Sequence, residues 1–458
     1  MSRRRFMRSG TGALAAAAAG SLAVACEAAP PGGGVAASSS SSSDGLLALP
    51  KGFNQRVLSS SGKIFPGPIY IPGHHDGMTA LPYGGGATLL VRNHEQTPFD
   101  PIPVQGRNPF DKDEGGGVTG VVVSPELANV REFTISSGTR RNCAGGRTPW
   151  DTWLTCEESK YGGHGYVFEA MPDDPENDLS RTPIRAMGRF SHEAVGIDPA
   201  TGIAYLTEDD PPESFVYRYI PDDRGRRPGA LLEGGRLQAM RLEGGPGEAD
   251  GGRAARVGWV DVDPDSPHAG AVAGDAIAFR RIEGAVFADG AFWFPDTSGG
   301  PGELGQVWRY TPAQAKLELF FEPADKTEMQ KPDNLVMTPW GDLWFVEDGI
   351  AFDRLMGITP EGVAYEFARN TTNDSELSGP CFSPDGKVLF INMYDPAFTM
   401  AVWGPFEQWN AARRKRMAAS EPEALAPKVS DEVMEVAMRR GMGRLEAAAC
   451  ERLGVALA

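Results

Sequence analysis

From His74 to Asn392 the apolar residues fall in short runs broken by turn residues, not at the spacing of an amphipathic helix. The same phrase recurs six times: a polar entry, a short apolar strand, a turn, a second strand rich in Trp, Leu, Phe or Tyr, and a polar exit. The first runs from His74-His75-Asp76-Gly77-Met78 to Arg92-Asn93-His94-Glu95, and the second from Asn142-Cys143-Ala144-Gly145-Gly146 to Cys156-Glu157-Glu158. The third joins Ser191-His192-Glu193-Ala194 to Thr207-Glu208-Asp209-Asp210, and the fourth Arg281-Ile282-Glu283-Gly284 to Pro295-Asp296-Thr297-Ser298. The fifth joins Pro332-Asp333-Asn334-Leu335 to Glu347-Asp348-Gly349, and the sixth Ser378-Gly379-Pro380-Cys381 to Asn392-Met393-Tyr394-Asp395. Turns such as Pro199-Ala200-Thr201-Gly202 and Pro384-Asp385-Gly386 carry hairpin chemistry. A repeat of roughly 45–90 residues built on such hairpins predicts an all-β fold, a six-bladed β-propeller. The uneven spacing places 173–185 and 222–256 in loops. The propeller is expected over 46–405, with a short C-terminal helical extension over 406–458. There Ser430 is placed to cap a helix with Val433, Val436 and Ala437 on one face, and a second helix follows Gly441.

In an antiparallel hairpin the chain goes out and comes back, so entry and exit share one end of the sheet. The hairpins are therefore expected to gather Glu157, Glu158, Glu193, Glu208, Asp209, Glu283, Asp333, Glu347 and Asp348 around one channel mouth. Carboxylates packed together raise one another's pKa at a cost in stability unless cations compensate them. Any single acid is also open to a turn-capping or solvated role. The stretch 138–158 adds a thiol, because the apolar strand Trp153-Leu154-Thr155 ends on Cys156-Glu157-Glu158. Cys156 reads either as a buried structural residue or as a soft ligand beside hard oxygens, a set that suits iron better than a purely calcium site.

Charge and cysteine usage narrow the classes. With 61 acidic against 44 basic residues the chain carries a formal charge of −17, which disfavours nucleic acid as a partner. The chain opens on Ser2-Arg3-Arg4-Arg5-Phe6, an Ala-rich apolar run and Ala23-Val24-Ala25, which reads as a twin-arginine export signal over 1–25. That apolar run is too short and too Ala-rich for a transmembrane span. A Ser/Gly/Pro-rich tether follows over 26–45, with Cys26 a candidate for a lipid anchor, although Ala23 stands where lipoprotein signals usually have Leu. The expected location is periplasmic or secreted. If Cys156 is a ligand, Cys143, Cys381 and Cys450 remain, an odd number that argues against a disulfide framework. No histidine pair has zinc-type spacing, and neither a G-x-S-x-G elbow nor a P-loop occurs.

The motifs HHDGM, NCAGG-x-TPW-x-TWLTCEE, HGYVFE, SHEAV, TEDD, R-x-EG, PDNL, EDG and GPCFSPDG occur in this order, and the chain resembles the PhoX-type alkaline phosphatases from about His74 to Asn392. The resemblance implies a six-bladed propeller, exported by the twin-arginine machinery, that hydrolyses small phosphomonoesters at a cluster of iron and calcium. It implies Cys156 and Glu157 as iron ligands, with Glu193 and Glu283 as further cluster ligands. It assigns Glu208, Asp209, Asp333, Asn334, Glu347 and Asp348 to the metals, with oxygens suited to calcium. Arg281 resembles the arginine that clamps the substrate phosphate. Arg281 and Glu208 are the catalytic candidates, and Glu158 belongs to the expected metal set. This chain is shorter than the best-known members, and its fourth exit lacks a double acid.

The chemistry expected from charge is in-line attack on phosphorus, with cations clamping phosphate oxygens and Arg281 stabilising the equatorial ones. Two other functions fit the same pattern. One is a calcium-dependent lactonase-type hydrolase, which a thiolate ligand would disfavour. The other is a non-catalytic binding propeller of the envelope, for which an empty or calcium-only channel would speak.

Overall fold

The structure, a computed structural model, describes residues 45–63, 70–243, 254–349 and 353–419. The export signal, nearly all of the tether with Cys26, and the helices expected near Ser430 and after Gly441 lie outside the described residues.

The predicted hairpins all form. Their strand pairs are His75–Tyr83 with Ala87–His94, Asn142–Arg147 with Trp153–Glu157, and His192–Ile197 with Ala204–Glu208. The others are Val286–Ala288 with Ala291–Asp296, Pro332–Met337 with Leu343–Glu347, and Leu377–Phe382 with Val388–Met393. Each is extended by further antiparallel strands outside the repeated phrase, such as Gly116–Val123 and Asn129–Thr139 beside the first. The result is all-β and propeller-like, with Pro267–Ala273 and Phe406–Ala419 the two α-helices among the described residues.

Hydrogen bonding groups the hairpins into five sheets rather than six separate ones. The third and fourth share a nine-stranded sheet, because Ala254–Asp261 pairs with Gly235–Glu243 on one side and Lys316–Phe321 on the other. Part of 222–256 was expected as loop and is strand instead. Within Gly235–Glu243, Leu237, Ala239 and Met240 are buried, and the flanking glycines and arginines obscure that pattern in the sequence.

The first inward strands are tied to one another by buried polar groups. Asn93 donates to the carbonyls of Cys143 (2.9 Å) and Ala144 (2.7 Å), linking the first hairpin to the second. Cys143 Sγ lies 3.4 Å from the His192 carbonyl oxygen, Thr207 donates to the Glu283 carbonyl (2.9 Å), and Thr297 to that of Pro332 (2.7 Å). The Gly379 amide donates to Asn334 Oδ1 (2.7 Å), and Ser378 and Asn392 donate back to the carbonyls of His75 (2.8 Å) and Asp76 (2.6 Å). The links run from first to sixth and return to the first. The strands approach so closely that a Cβ on Gly146 would stand 1.7 Å from the Val195 carbonyl oxygen. All six entry strands line one cavity of about 430 Å³, through residues such as Gly77, Gly145, Gly196, Val286, Leu335 and Cys381.

Two segments outside the hairpins secure the ends. Asn54–Ser60 pairs with Phe398–Trp403 at the edge of the sixth hairpin's sheet, and Leu47–Ala48 pairs with Ala364–Asn370. The helix Phe406–Ala419 buries Phe406 among the rings of Phe53, Trp340, Phe367 and Phe382. Its Arg413 pairs with buried Asp342 and lies 3.8 Å over the Tyr365 ring.

Candidate active site

At the entry end the hairpin register slips. It does so between His75 and Met78, Asn142 and Gly145, His192 and Val195, and Pro332 and Leu335. In the fourth hairpin Ile282 bridges Asp296 and pairing resumes only at Val286. A bulge frees a residue from the ladder and re-aims its side chain. The residues that follow the last paired position are Asp76, Cys143, Glu193, Glu283 and Asp333, none more than 4% exposed. Cys143 Sγ lies 2.8 Å from Glu193 Oε2, and Cys143, Glu158 and Glu193 each offer a ligand atom within 4.8 Å of the others. The sixth hairpin has Gly379 at this position and adds no ligand.

The exits obey the two-residue period of a strand, which sends neighbouring side chains to opposite sides. Counting from the residue paired with the last entry position before the bulge, the first exit residue of the second to fifth hairpins turns back into its own sheet. Glu157 accepts from His164 Nδ1 (2.6 Å) and from the amides of Arg140, Gly165 and Tyr166. Glu208 accepts from His268 and Tyr217 (3.0 Å each), Asp296 from the amides of Arg280 and Arg281 (3.2 Å), and Glu347 from the Gln330 amide (2.7 Å) and Arg354 (2.6 Å). The second residue belongs with the bulged set. Glu158 sits beside Cys143 and Glu193, while Asp209 and Asp348 share the guanidinium of Arg281. In the fourth exit Thr297 takes this place, its hydroxyl 3.3 Å from Glu283.

Of the expected ligands, the structure therefore brings together Glu158, Glu193, Asp209, Glu283, Asp333 and Asp348, and turns Glu157, Glu208 and Glu347 into separate hydrogen-bond networks. Cys156 points into a hydrophobic cluster with Leu154, Val167, Phe190 and Val195, where burial pushes its thiol up. Asn334 bridges Asp333 (2.8 Å) and the Gly379 amide. Three residues missing from the expected set join it: Asp76, Glu95 and Cys143. Alignment of the entries one residue after the paired position would have found Asp76 and Cys143, since both stand in register with Glu193 and Glu283. Glu208 forms a second group with Asp210 and His268, where Lys160 also contacts Asp210 (2.5 Å).

Two arginines face the acids. Arg281 reaches Asp209 through Nε (3.1 Å), Asp348 (3.0 Å) and Glu283. Arg141 reaches Glu95 (2.9 Å through Nε) and Glu158 (2.5 Å), and Glu95 above all holds its guanidinium in the charged form. Burial, reinforced by Glu158, Asp333, Glu283 and Asp209, raises the Glu193 carboxyl well above the usual range. Burial and the nearby Glu193 likewise raise the Cys143 thiol.

The profile of the family described as "Alkaline phosphatase PhoX" matches residues 35–135 and 116–397. The chain belongs to the alkaline phosphatase PhoX family. As a member it is an enzyme, a phosphoric monoester hydrolase. Among solved structures, PhoX of Pseudomonas fluorescens in complex with vanadate, a transition state analogue, is similar at TM-score 0.62 and 19% identity, covering 78% of this chain and 96% of that one. A gluconolactonase of Xanthomonas campestris is similar at TM-score 0.39 and 15% identity, covering 74% and 98%. A virginiamycin B lyase of Staphylococcus aureus is similar at TM-score 0.39 and 12% identity, covering 77% and 99%. Among curated proteins there is no sequence match.

For a PhoX family member the donor set fits cations. One thiol and a group of near-fully buried carboxylates stand together, and Asp209 Oδ1 is buried without a hydrogen-bond partner. Two guanidinium groups against so many acids leave negative charge that burial makes costly.

Proposed function

We propose that this chain is an exported phosphomonoesterase whose six hairpins are the blades of one propeller, with iron and calcium held at the channel mouth. The circular order of links between the entry strands supports the blade count, the third and fourth blades being fused along one edge. The observation that carries the metal reading is Cys143. It occupies, in the second hairpin, the place taken by carboxylates in the first, third, fourth and fifth. Cys143 replaces Cys156 as the soft donor in this reading, with Glu158 and Glu193 beside it, and Glu283 near Glu193, for iron. Asp76, Asp209, Asp333 and Asp348 are hard donors suited to calcium.

Bound cations supply the positive charge that lets an acidic mouth accept a phosphate dianion and that polarises its oxygens. The chain itself supplies Arg281, whose planar fork matches two phosphate oxygens and whose position is set by three carboxylates. Glu157, Glu208 and Glu347 act from outside, by fixing the backbone from which the neighbouring acids project. The thiol also argues against a lactonase-type site built on calcium alone. Residues 1–25 are read as the twin-arginine signal, 26–45 as the tether with Cys26 as lipidation candidate, and the location as periplasmic or secreted.

Elemental analysis of protein produced with its leader, together with hydrolysis of a generic phosphomonoester, tests this. Iron and calcium with activity that a calcium chelator removes is the expected result. Full activity in metal-free protein would overturn it.

A further inference from the structure

The residue just before each bulge occupies a third equivalent position. Its carbonyl accepts the amide of the second exit residue: His74 from Glu95 (3.1 Å), Arg141 from Glu158 (3.0 Å), Ser191 from Asp209 (3.0 Å), Arg281 from Thr297 (2.7 Å) and Lys331 from Asp348 (2.9 Å). Of these five places, two carry Arg, one Lys and one His. We propose that Arg141 and Lys331, at positions equivalent to Arg281, form with it a cationic rim that binds a second negative group on the substrate. The preferred esters are then those whose leaving group carries its own carboxylate or phosphate. This rests on the phosphomonoesterase reading above.

Three observations carry it. Arg141 mirrors Arg281 in function as well as place, since each guanidinium bridges second-exit acids of two hairpins: Glu95 and Glu158 for one, Asp209 and Asp348 for the other. Both therefore flank the cluster around Glu193. Arg141 also stands further toward solvent, its side chain 35% exposed against 17% for Arg281, so it is placed for the part of the substrate beyond the scissile phosphoryl group. Finally, Arg141 (φ +50°) and Lys331 (φ +49°) hold the left-handed backbone conformation, which Gly or Asn adopts with less strain. Long cationic residues kept in a strained conformation at equivalent sites point to a use for the side chain. A planar guanidinium fork recognises either a carboxylate or a phosphate.

The test uses two esters that differ mainly in one charge, glycerol 3-phosphate and 3-phosphoglycerate. For the wild-type holoenzyme, kcat/KM is expected to be about fivefold or more higher for the carboxylate-bearing ester, the scale of one charge-assisted contact partly open to solvent. Arg141→Gln should bring that ratio down toward one, a loss of roughly fivefold, chiefly through KM for 3-phosphoglycerate, and Arg141→Lys should restore part of it. A role confined to holding Glu95 and Glu158 would lower both efficiencies together and leave the ratio in place, which would overturn the proposal. Should Arg141→Gln fail to fold, Lys331→Gln is expected to cut the ratio about threefold, and an unchanged ratio there is equally fatal. A wild-type enzyme that cleaves both esters equally removes the rim inference alone. One that cleaves neither, nor a generic phosphomonoester, removes the phosphatase reading as well.

Discussion

At the scale of single residues, the proposed assignment makes one cysteine of the second hairpin a ligand and the other a core residue. Cys143→Ser should lower bound iron and reduce kcat/KM roughly 100-fold, the scale of a disturbed metal site, as read by elemental analysis and steady-state kinetics. Cys156→Ala should leave metal content near wild type and cost about 1 kcal/mol of stability, as a small cavity does. The reverse pattern would restore Cys156 as the donor. Arg281→Lys keeps charge but loses the fork, so efficiency should drop by roughly one to three orders of magnitude with metals retained, whereas Glu283→Gln should lose both. His192 offers a pH test. Its ring stacks on Phe190 at 3.5 Å, Nε2 donates to the Gly188 carbonyl (3.0 Å), and burial lowers its pKa to about 3. The folded protein keeps it neutral while the unfolded chain protonates it below about 6.5, so its contribution is intact above that pH and is lost as pH falls toward 3. In His192→Gln the melting temperature should fall less between pH 7 and pH 5 than in wild type. An identical fall in both proteins would contradict this.

At the scale of the hairpin, the determining feature is the bulge followed by strict alternation. Gly146 lets the second entry strand approach the third, and Gly146→Ala should destabilise by more than about 2 kcal/mol, since backbone rather than a side-chain tip would have to move; chemical denaturation measures it. Much at this level was legible in the sequence. The six phrases, their turns and the acid-rich ends correspond to real strand pairs, and Glu193, Glu283 and Asp333 stand where the polar entries placed them. The double acids are divided by the structure. Glu157-Glu158, Glu208-Asp209 and Glu347-Asp348 each read as two ligands, yet a pleated strand can aim only one of two neighbours at a given side. The outward member holds an amide or a cationic partner, as Glu347 does with Gln330 and Arg354. The TWLTCEE signature drew attention to Cys156 because it precedes two acids; it shares a face with Leu154 and Glu158 but lies deeper along the strand, packed in the core beside Leu154 and Val167. The pairing of Asn54–Ser60 with Phe398–Trp403 was not legible, since the two strands are distant in sequence and Asn54–Ser60 alternates weakly.

At the scale of the whole molecule, the helix Phe406–Ala419 caps an aromatic cluster, and Trp409 packs there with Phe53 and Phe367. Trp409→Ala together with Arg413→Ala should lower the melting temperature by several degrees while the ratio of bound iron to calcium stays constant; a selective loss of one metal would place the helix in the site instead. The return links from Ser378 and Asn392 to His75 and Asp76 bear on the order of events in synthesis. The backbone carbonyl of Asp76, one of the inner acids, is held by a side chain some three hundred residues later in the chain (Asn392). On a ribosome, the early hairpins emerge carrying acids that have neither their partner strand nor a complete set of neighbours. Ion capture should then be a late step, possible only once the sixth hairpin has been made. Nascent chains halted before Leu377 should bind iron far more weakly than chains released whole, and equal loading of the two would show that the ions arrive before the ring is shut.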